Sequence, residues 1–125
     1  FFEFIVLYGR RRIGKTSLVL NSVKNREHVY YLAVEGDNLK HFKNYSSKVV
    51  PTIEYAKEDW EAYFKFLENK IVIIDEFPNL IKENPKVLSL FQRIIDTHLK
   101  NTKTKLIILG SSISMMGDKV LSYSS

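Results

Sequence analysis

Four short apolar runs, at residues 2–8, 29–34, 71–74 and 106–109, interrupt an otherwise mixed chain. None alternates strictly between apolar and polar positions. Continuous β-branched and aromatic runs of this length predict strands buried on both faces, as in a parallel sheet covered by helices. The segments between them carry helical spacing. Residues 15–24 hold Leu18, Val19 and Val23 among good or neutral helix formers, and residues 58–68 repeat Trp60, Tyr63, Phe64 and Leu67 at three- and four-residue intervals. A third helix is expected to open at Asn84 as N-cap with Pro85 in its first turn. Val87, Leu88, Phe91, Ile94 and Ile95 form its stripe, and His98 and Lys100 sit near its end, where positive charge suits the dipole. The stretch 36–51 is polar, with one short helix expected over 38–42. Strands alternating with helices imply right-handed crossovers and an open α/β sheet, whose ligands bind beyond the carboxyl ends of the strands.

The residues at those ends are consistent with that rule. The first run passes directly into Gly9-Arg10-Arg11-Arg12-Ile13-Gly14-Lys15-Thr16-Ser17, and a helix follows at once. Two glycines framing four residues, then Lys-Thr, in a strand-to-helix setting, form a phosphate-binding loop. The glycines allow backbone angles and close approaches that let successive N–H groups wrap phosphates at the positive end of a helix. Lys15 is expected on the β and γ phosphates and the Thr16 hydroxyl on Mg²⁺. The competing reading is a glycine turn with adventitious basic neighbours.

The third run ends in Asp75-Glu76. Behind a phosphate loop, Asp75 is assigned to Mg²⁺, usually through its water shell, and Glu76 to the base that polarises an attacking water. Taken alone, the pair also reads as a helix cap and first-turn residue. The fourth run ends Gly110-Ser111-Ser112, where a small polar residue could sense the γ-phosphate; Ser111 is favoured over Ser112, and helix capping explains the turn equally well.

Composition narrows the classes. At 125 residues one core and one domain, 1–125, are expected, and the 45% apolar and 26% charged fractions exclude disorder and fibrous architecture. No apolar run approaches the ~20 residues of a membrane-spanning helix. The absence of cysteine removes disulfides, thiolate metal sites and cysteine nucleophiles, and suits a cytoplasmic setting. A net charge of +5 raises nucleic acid as a partner, yet three of the arginines lie within the loop and the remaining cations are interspersed with acids.

The nucleotide is expected to be ATP. Residues 69–72 lack the Asp of an Asn-Lys-x-Asp guanine reader, and no Asp-x-x-Gly begins at Asp75. Glu directly after Asp favours the ATPases with an additional strand between the loop strand and the acidic strand, for which the four strands take the order 1-4-3-2. The chain resembles the archaeal-type ATPases of the STAND-related, AAA-like group of P-loop NTPases. The resemblance rests on residues 8–18, on Ile73-Ile74-Asp75-Glu76-Phe77-Pro78-Asn79-Leu80, and on Leu109-Gly110-Ser111-Ser112-Ile113-Ser114-Met115-Met116. It implies a three-layer core, nucleotide contacts from the loop, metal and water activation by Asp75 and Glu76, and sensing by Ser111.

Members of that group continue beyond the Met-Met helix into further helices, a fifth strand flanking the first, and usually a winged-helix region. The resemblance therefore implies part of a larger ATPase, with the fifth strand and any trans-acting arginine lying elsewhere. The leading functional expectation is an ATP-hydrolysing motor or switch module. The alternative is a nucleic-acid-associated module in which ATP is regulatory or structural, with DNA contacts and a homo-oligomer belonging to the intact protein. A small-molecule kinase would need an acceptor pocket and an arginine lid that nothing in the sequence identifies.

Overall fold

The computed structural model describes residues 1–9 and 14–111. Arg10, Arg11, Arg12 and Ile13 of the loop, and Ser112 with the Ile113–Met116 run, lie outside them. Four strands, β1 (Glu3–Tyr8), β2 (His28–Leu32), β3 (Ile71–Asp75) and β4 (Lys105–Gly110), form one sheet in the order β1-β4-β3-β2, every pair parallel. The sheet thus has the order expected from the sequence. Five helices connect its strands: α1 (Lys15–Val23), α2 (Asn38–Ser46), α3 (Trp60–Phe66), α4 (Pro78–Glu83) and α5 (Val87–Ile94).

Alternation within the strands distributes side chains between two cores. Val72, Ile74, Leu106 and Ile108 face a large cluster with Phe42 of α2, Trp60, Tyr63 and Phe64 of α3, Leu80 of α4, and Val87, Phe91 and Ile94 of α5. Ile71, Ile73, Ile107 and Leu109 face the other way, onto Val19 and Val23 of α1. The middles of β3 and β4 are apolar on both faces because each face of the sheet is covered there, α1 on one side and the other helices opposite. In the larger core Phe42 meets the Trp60 ring edge-on at 5.0 Å, the Tyr31 ring at 5.4 Å, and stacks on Tyr63 at 5.7 Å. Such ring pairs add about 0.5–1.5 kcal/mol each beyond their buried area.

Four helical expectations change, three of them in α3 and α5. Asn84 does not cap α5: its N–H closes α4 on the Leu80 carbonyl, and its Oδ1 accepts from the Lys86 N–H. Asn84 and Pro85 therefore form the turn between α4 and α5, and α5 starts at Val87. Its expected stripe is buried as read, but the chain then widens into a π-helical turn, Ile95–Leu99, and His98 meets the Glu61 carboxylate at 2.7 Å. Helix α3 begins at Trp60 rather than 58, because Asp59 caps it by accepting from the Ala62 N–H at 2.7 Å.

The short helix expected over 38–42 runs to Ser46. Its buried face is Asn38, Phe42 and Ser46, so only one of three inward positions is apolar. Asn38 is fully buried and fully bonded. Its Oδ1 accepts from the Tyr31 hydroxyl and the Val34 N–H, and its Nδ2 donates to the Val34 carbonyl and to Glu83 of α4. Asn79 of α4 also donates to the Ala33 carbonyl at 3.0 Å. The β2–α2 connection is thereby fastened to α4 by side-chain hydrogen bonds at both ends of that helix.

Replacing Asn38 by Ala leaves the buried Tyr31 hydroxyl and Val34 N–H without their acceptor, and is expected to cost about 2–3 kcal/mol in urea unfolding. Tyr31→Phe should cost less in that background than alone, the sign of a shared network. Additive losses would show that the two side chains do not depend on each other.

Candidate functional site

The site is assembled where the sheet alternation meets the first turn of α1. Ile71 and Ile73 point toward α1, so Asp75, two further along β3, lies on the same face. In β4, Ile107 and Leu109 share that face, and Ser111 continues the series. Register aligns the strand ends, with Tyr8 opposite Gly110 and Ile74 opposite Ile108. The Gly9 N–H donates to the Gly110 carbonyl at 3.2 Å, which brings the entry of the loop next to the end of β4.

Gly14 turns the chain into α1 with φ 78° and ψ 20°, a left-handed conformation that costs an L-residue about 1–2 kcal/mol. Nothing lies within 4 Å of the position a Cβ would take, so here the backbone angle, not crowding, calls for glycine. Gly14, the N-cap of α1, has no side chain with which to cap it, and the first-turn N–H groups and the positive end of the dipole lie at that end of the helix. Anions are favoured at such an end. Lys15, the first residue of α1, is buried, and its ammonium donates to the Gly9 carbonyl at 3.3 Å. The loop is thus bridged across its mouth by the cation expected to meet phosphate.

Asp75 is 4% exposed and holds three hydrogen bonds. Its Oδ2 accepts from the Thr16 hydroxyl at 2.7 Å and from the Tyr30 hydroxyl at 2.6 Å, while its Oδ1 accepts from the Glu76 N–H at 2.8 Å. These bonds have charge-assisted lengths and satisfy a carboxylate that burial would otherwise penalise. Burial first, and then the bond to Asp75, push the Tyr30 phenol above its ordinary range, so it remains a donor at neutral pH. Tyr30 stands opposite Ile73 in the β2–β3 pairing, and its ring packs with the α1-side core.

Glu76 leaves the strand with φ 53°, a left-handed angle at a residue with a side chain. Such angles concentrate where structure around them enforces the conformation. Here the Phe77 N–H donates to the Leu109 carbonyl at 2.8 Å and the Phe77 ring is completely buried, which anchors the chain one residue beyond the turn. Pro78 then opens α4, and neither acid caps that helix with its side chain. The helix-capping reading of the acidic pair is therefore excluded. The turned Glu76 accepts a long hydrogen bond, 3.4 Å, from the Ser111 hydroxyl.

Of the residues singled out from the sequence, the fold brings Thr16 to Asp75, Lys15 to Gly9, and Ser111 to Glu76. Ser17 lies exposed in the first turn of α1. Tyr30 is marked by no local sequence pattern; the β2–β3 register, which sets it opposite Ile73, brings its hydroxyl to Asp75. A cavity of about 420 Å³ beside α4, lined by Glu35, Gly36, Asn79, Lys82 and Glu83, shares none of these residues. The described residues hold no cluster of three or more His, Asp or Glu side chains able to cage a metal. A hydroxyl and one carboxylate, both oxygen donors, suit instead a hard cation that keeps most of its water shell, as magnesium does. Among the described residues no helix is long and apolar enough to cross a membrane.

Comparison with known proteins places the chain in a family. Residues 2–125 match the family described as an ATPase domain predominantly from Archaea. The uncharacterized protein MJECL04 of Methanocaldococcus jannaschii is 86% identical over 124 residues, 99% of this chain, and the chain spans 28% of that relative's length. The uncharacterized protein MJ0424 of the same organism is 37% identical over 73 residues, covering 58% of this chain and 66% of its own. Among solved structures, the Walker-type ATPase PABY2304 of Pyrococcus abyssi shares the fold with a TM-score of 0.70 at 20% identity, over 94% of this chain and 43% of that one. With a match across nearly its whole length, a parallel sheet in the order 1-4-3-2 and a glycine-framed turn into α1, the chain belongs to the family of ATPase domains found predominantly in Archaea.

Proposed function

We propose that the chain binds Mg·ATP and serves as the nucleotide-binding part of an ATP-hydrolysing motor or switch. One observation carries the reading: the Thr16 hydroxyl, in the first turn of α1, donates to Asp75 at the end of β3 across 59 residues of sequence. A glycine-framed turn into a helix, a buried lysine and a paired hydroxyl and carboxylate are the parts that a triphosphate with its cation requires.

In this reading the N–H groups from Arg10 to Ser17, those of Arg11, Arg12 and Ile13 among them, receive the phosphates, while the Gly9 N–H stays on the Gly110 carbonyl and Gly9 frames the loop. Lys15 releases the Gly9 carbonyl and takes the β and γ oxygens. Thr16, its proton kept on Asp75, would offer a lone pair to Mg²⁺, and Asp75 would hold the cation with it. When bound, magnesium neutralises charge on the β and γ phosphates. Glu76 orients the attacking water and accepts its proton. Ser111, already in contact with Glu76, is suited to register loss of the γ-phosphate. Catalysis of this kind is chiefly positioning and electrostatics, which a rigid strand end provides well.

The +5 charge favours a second reading, a nucleic-acid-associated module with ATP as regulator. Steep loss of DNA binding with salt by the full-length protein would support it, and no detectable binding at low salt would remove it.

Titration of the full chain with a fluorescent ATP analogue and Mg²⁺ tests the central claim. Lys15→Ala should weaken binding by about tenfold to a hundredfold, the worth of a hydrogen bond to a charged group. Undiminished affinity would refute the phosphate-loop assignment. For hydrolysis, Glu76→Gln in the full-length protein should preserve Mg·ATP binding and lower kcat by about 10²–10⁴, the usual contribution of a general base. A kcat equal to wild type would transfer the base to another group.

A further inference from the structure

Asp75 carries one donor more than a phosphate loop and its cation require. Beyond the Thr16 hydroxyl and the Glu76 N–H, the Tyr30 hydroxyl donates to Oδ2 at 2.6 Å. We propose that Tyr30 is a positioning residue for magnesium: it fixes the plane of the Asp75 carboxylate and reserves Oδ1 for the cation's water shell. The proposal rests on the Mg·ATP reading above and extends it to a residue outside the loop and the acidic pair.

Each carboxylate oxygen offers about two lone-pair directions. On Oδ2 both are taken, by Thr16 and Tyr30; on Oδ1 one is taken, by the Glu76 N–H, which leaves one. The terminal torsion of an Asp side chain is broad, so without restraint the two oxygens would exchange places. Three donors drawn from α1, β2 and the chain just beyond β3 hold that torsion, and only Tyr30 comes from the sheet's outer strand β2. The position of Tyr30 does not depend on its hydroxyl, because its ring packs with the α1-side core built on Val19 and Val23. Deleting the oxygen therefore removes the restraint and keeps the packing.

Partners one step outside a metal's own ligands set the orientation of those ligands, and their loss costs a site about 10–100-fold in metal affinity or activity. The purely structural alternative is that Tyr30 only satisfies a buried carboxylate. The two readings differ in what depends on Mg²⁺.

The test is Tyr30→Phe in the full chain, with binding of a fluorescent ATP analogue measured in EDTA and across a Mg²⁺ titration, and melting followed separately. The half-saturating Mg²⁺ concentration should rise about tenfold, the low end of the outer-shell range, while affinity in EDTA stays at the wild-type value. An unchanged or lowered half-saturation point overturns the proposal. So does a parallel loss of affinity with and without Mg²⁺ accompanied by a lower melting temperature, which would assign Tyr30 to packing alone. Lys15→Ala separates the two levels of inference. If it leaves Mg·ATP binding intact, the nucleotide reading itself fails and the Tyr30 role falls with it. If it abolishes binding while Tyr30→Phe follows the wild-type Mg²⁺ curve, only the Tyr30 assignment is lost.

Discussion

A parallel sheet covered on both faces has to send alternate side chains to different cores, and the chemistry of this protein depends on that parity. Ile71 and Ile73 are drawn to α1 by burial, and the same two-residue period then delivers Asp75 beneath the first turn of α1, within reach of Thr16. Leu109 fixes the side on which Ser111 emerges. A one-residue slip in β3 would exchange the two cores and send Asp75 to the wrong face. The hydrophobic effect thus aims the carboxylate without acting on it directly.

Burying that carboxylate is unfavourable unless its lone pairs are filled, and the donors come from places that differ in mechanical character. Thr16 belongs to the helix that the glycine turn launches, Tyr30 to the outer strand β2, and the Glu76 N–H to the distorted residue that follows β3. Satisfying Asp75 consequently links the loop helix, one margin of the sheet and the acidic turn in a single polar junction. Asp75 itself is buried, and the removal of its carboxylate from water strengthens each of these bonds.

Much of this is legible in the sequence. The uninterrupted apolar character of residues 71–74 and 106–109 reported two-sided burial, and the glycine spacing announced the turn into α1. What remained hidden has physical reasons. Strand register is a long-range property, so the pairing that sets Tyr30 opposite Ile73, with its hydroxyl within reach of Asp75, leaves no local trace. Helix α4 is six residues long, too short to show a period, and α2 hides its inward face by placing Asn38 and Ser46 there, where a hydrophobic pattern sees nothing. The Asn84-Pro85 pair is a genuine break signal whose turn precedes α5 instead of starting it. Residues 10–13, with three successive arginines, carry the densest charge of the chain.

The turn at Glu76 has a further consequence. Phe77 is pinned to β4 through the Leu109 carbonyl, and α4, which starts one residue later, is tethered by Asn79 to Ala33 and by Glu83 to Asn38. The backbone at Glu76 is therefore on a short leash, tied toward β4 on one flank of β3 and toward the end of β2 on the other. Its carboxylate can change address only by spinning about its own side-chain torsions, and a rotor of that kind answers in the time of a rotamer jump, far faster than a segment that must unfold and rebuild.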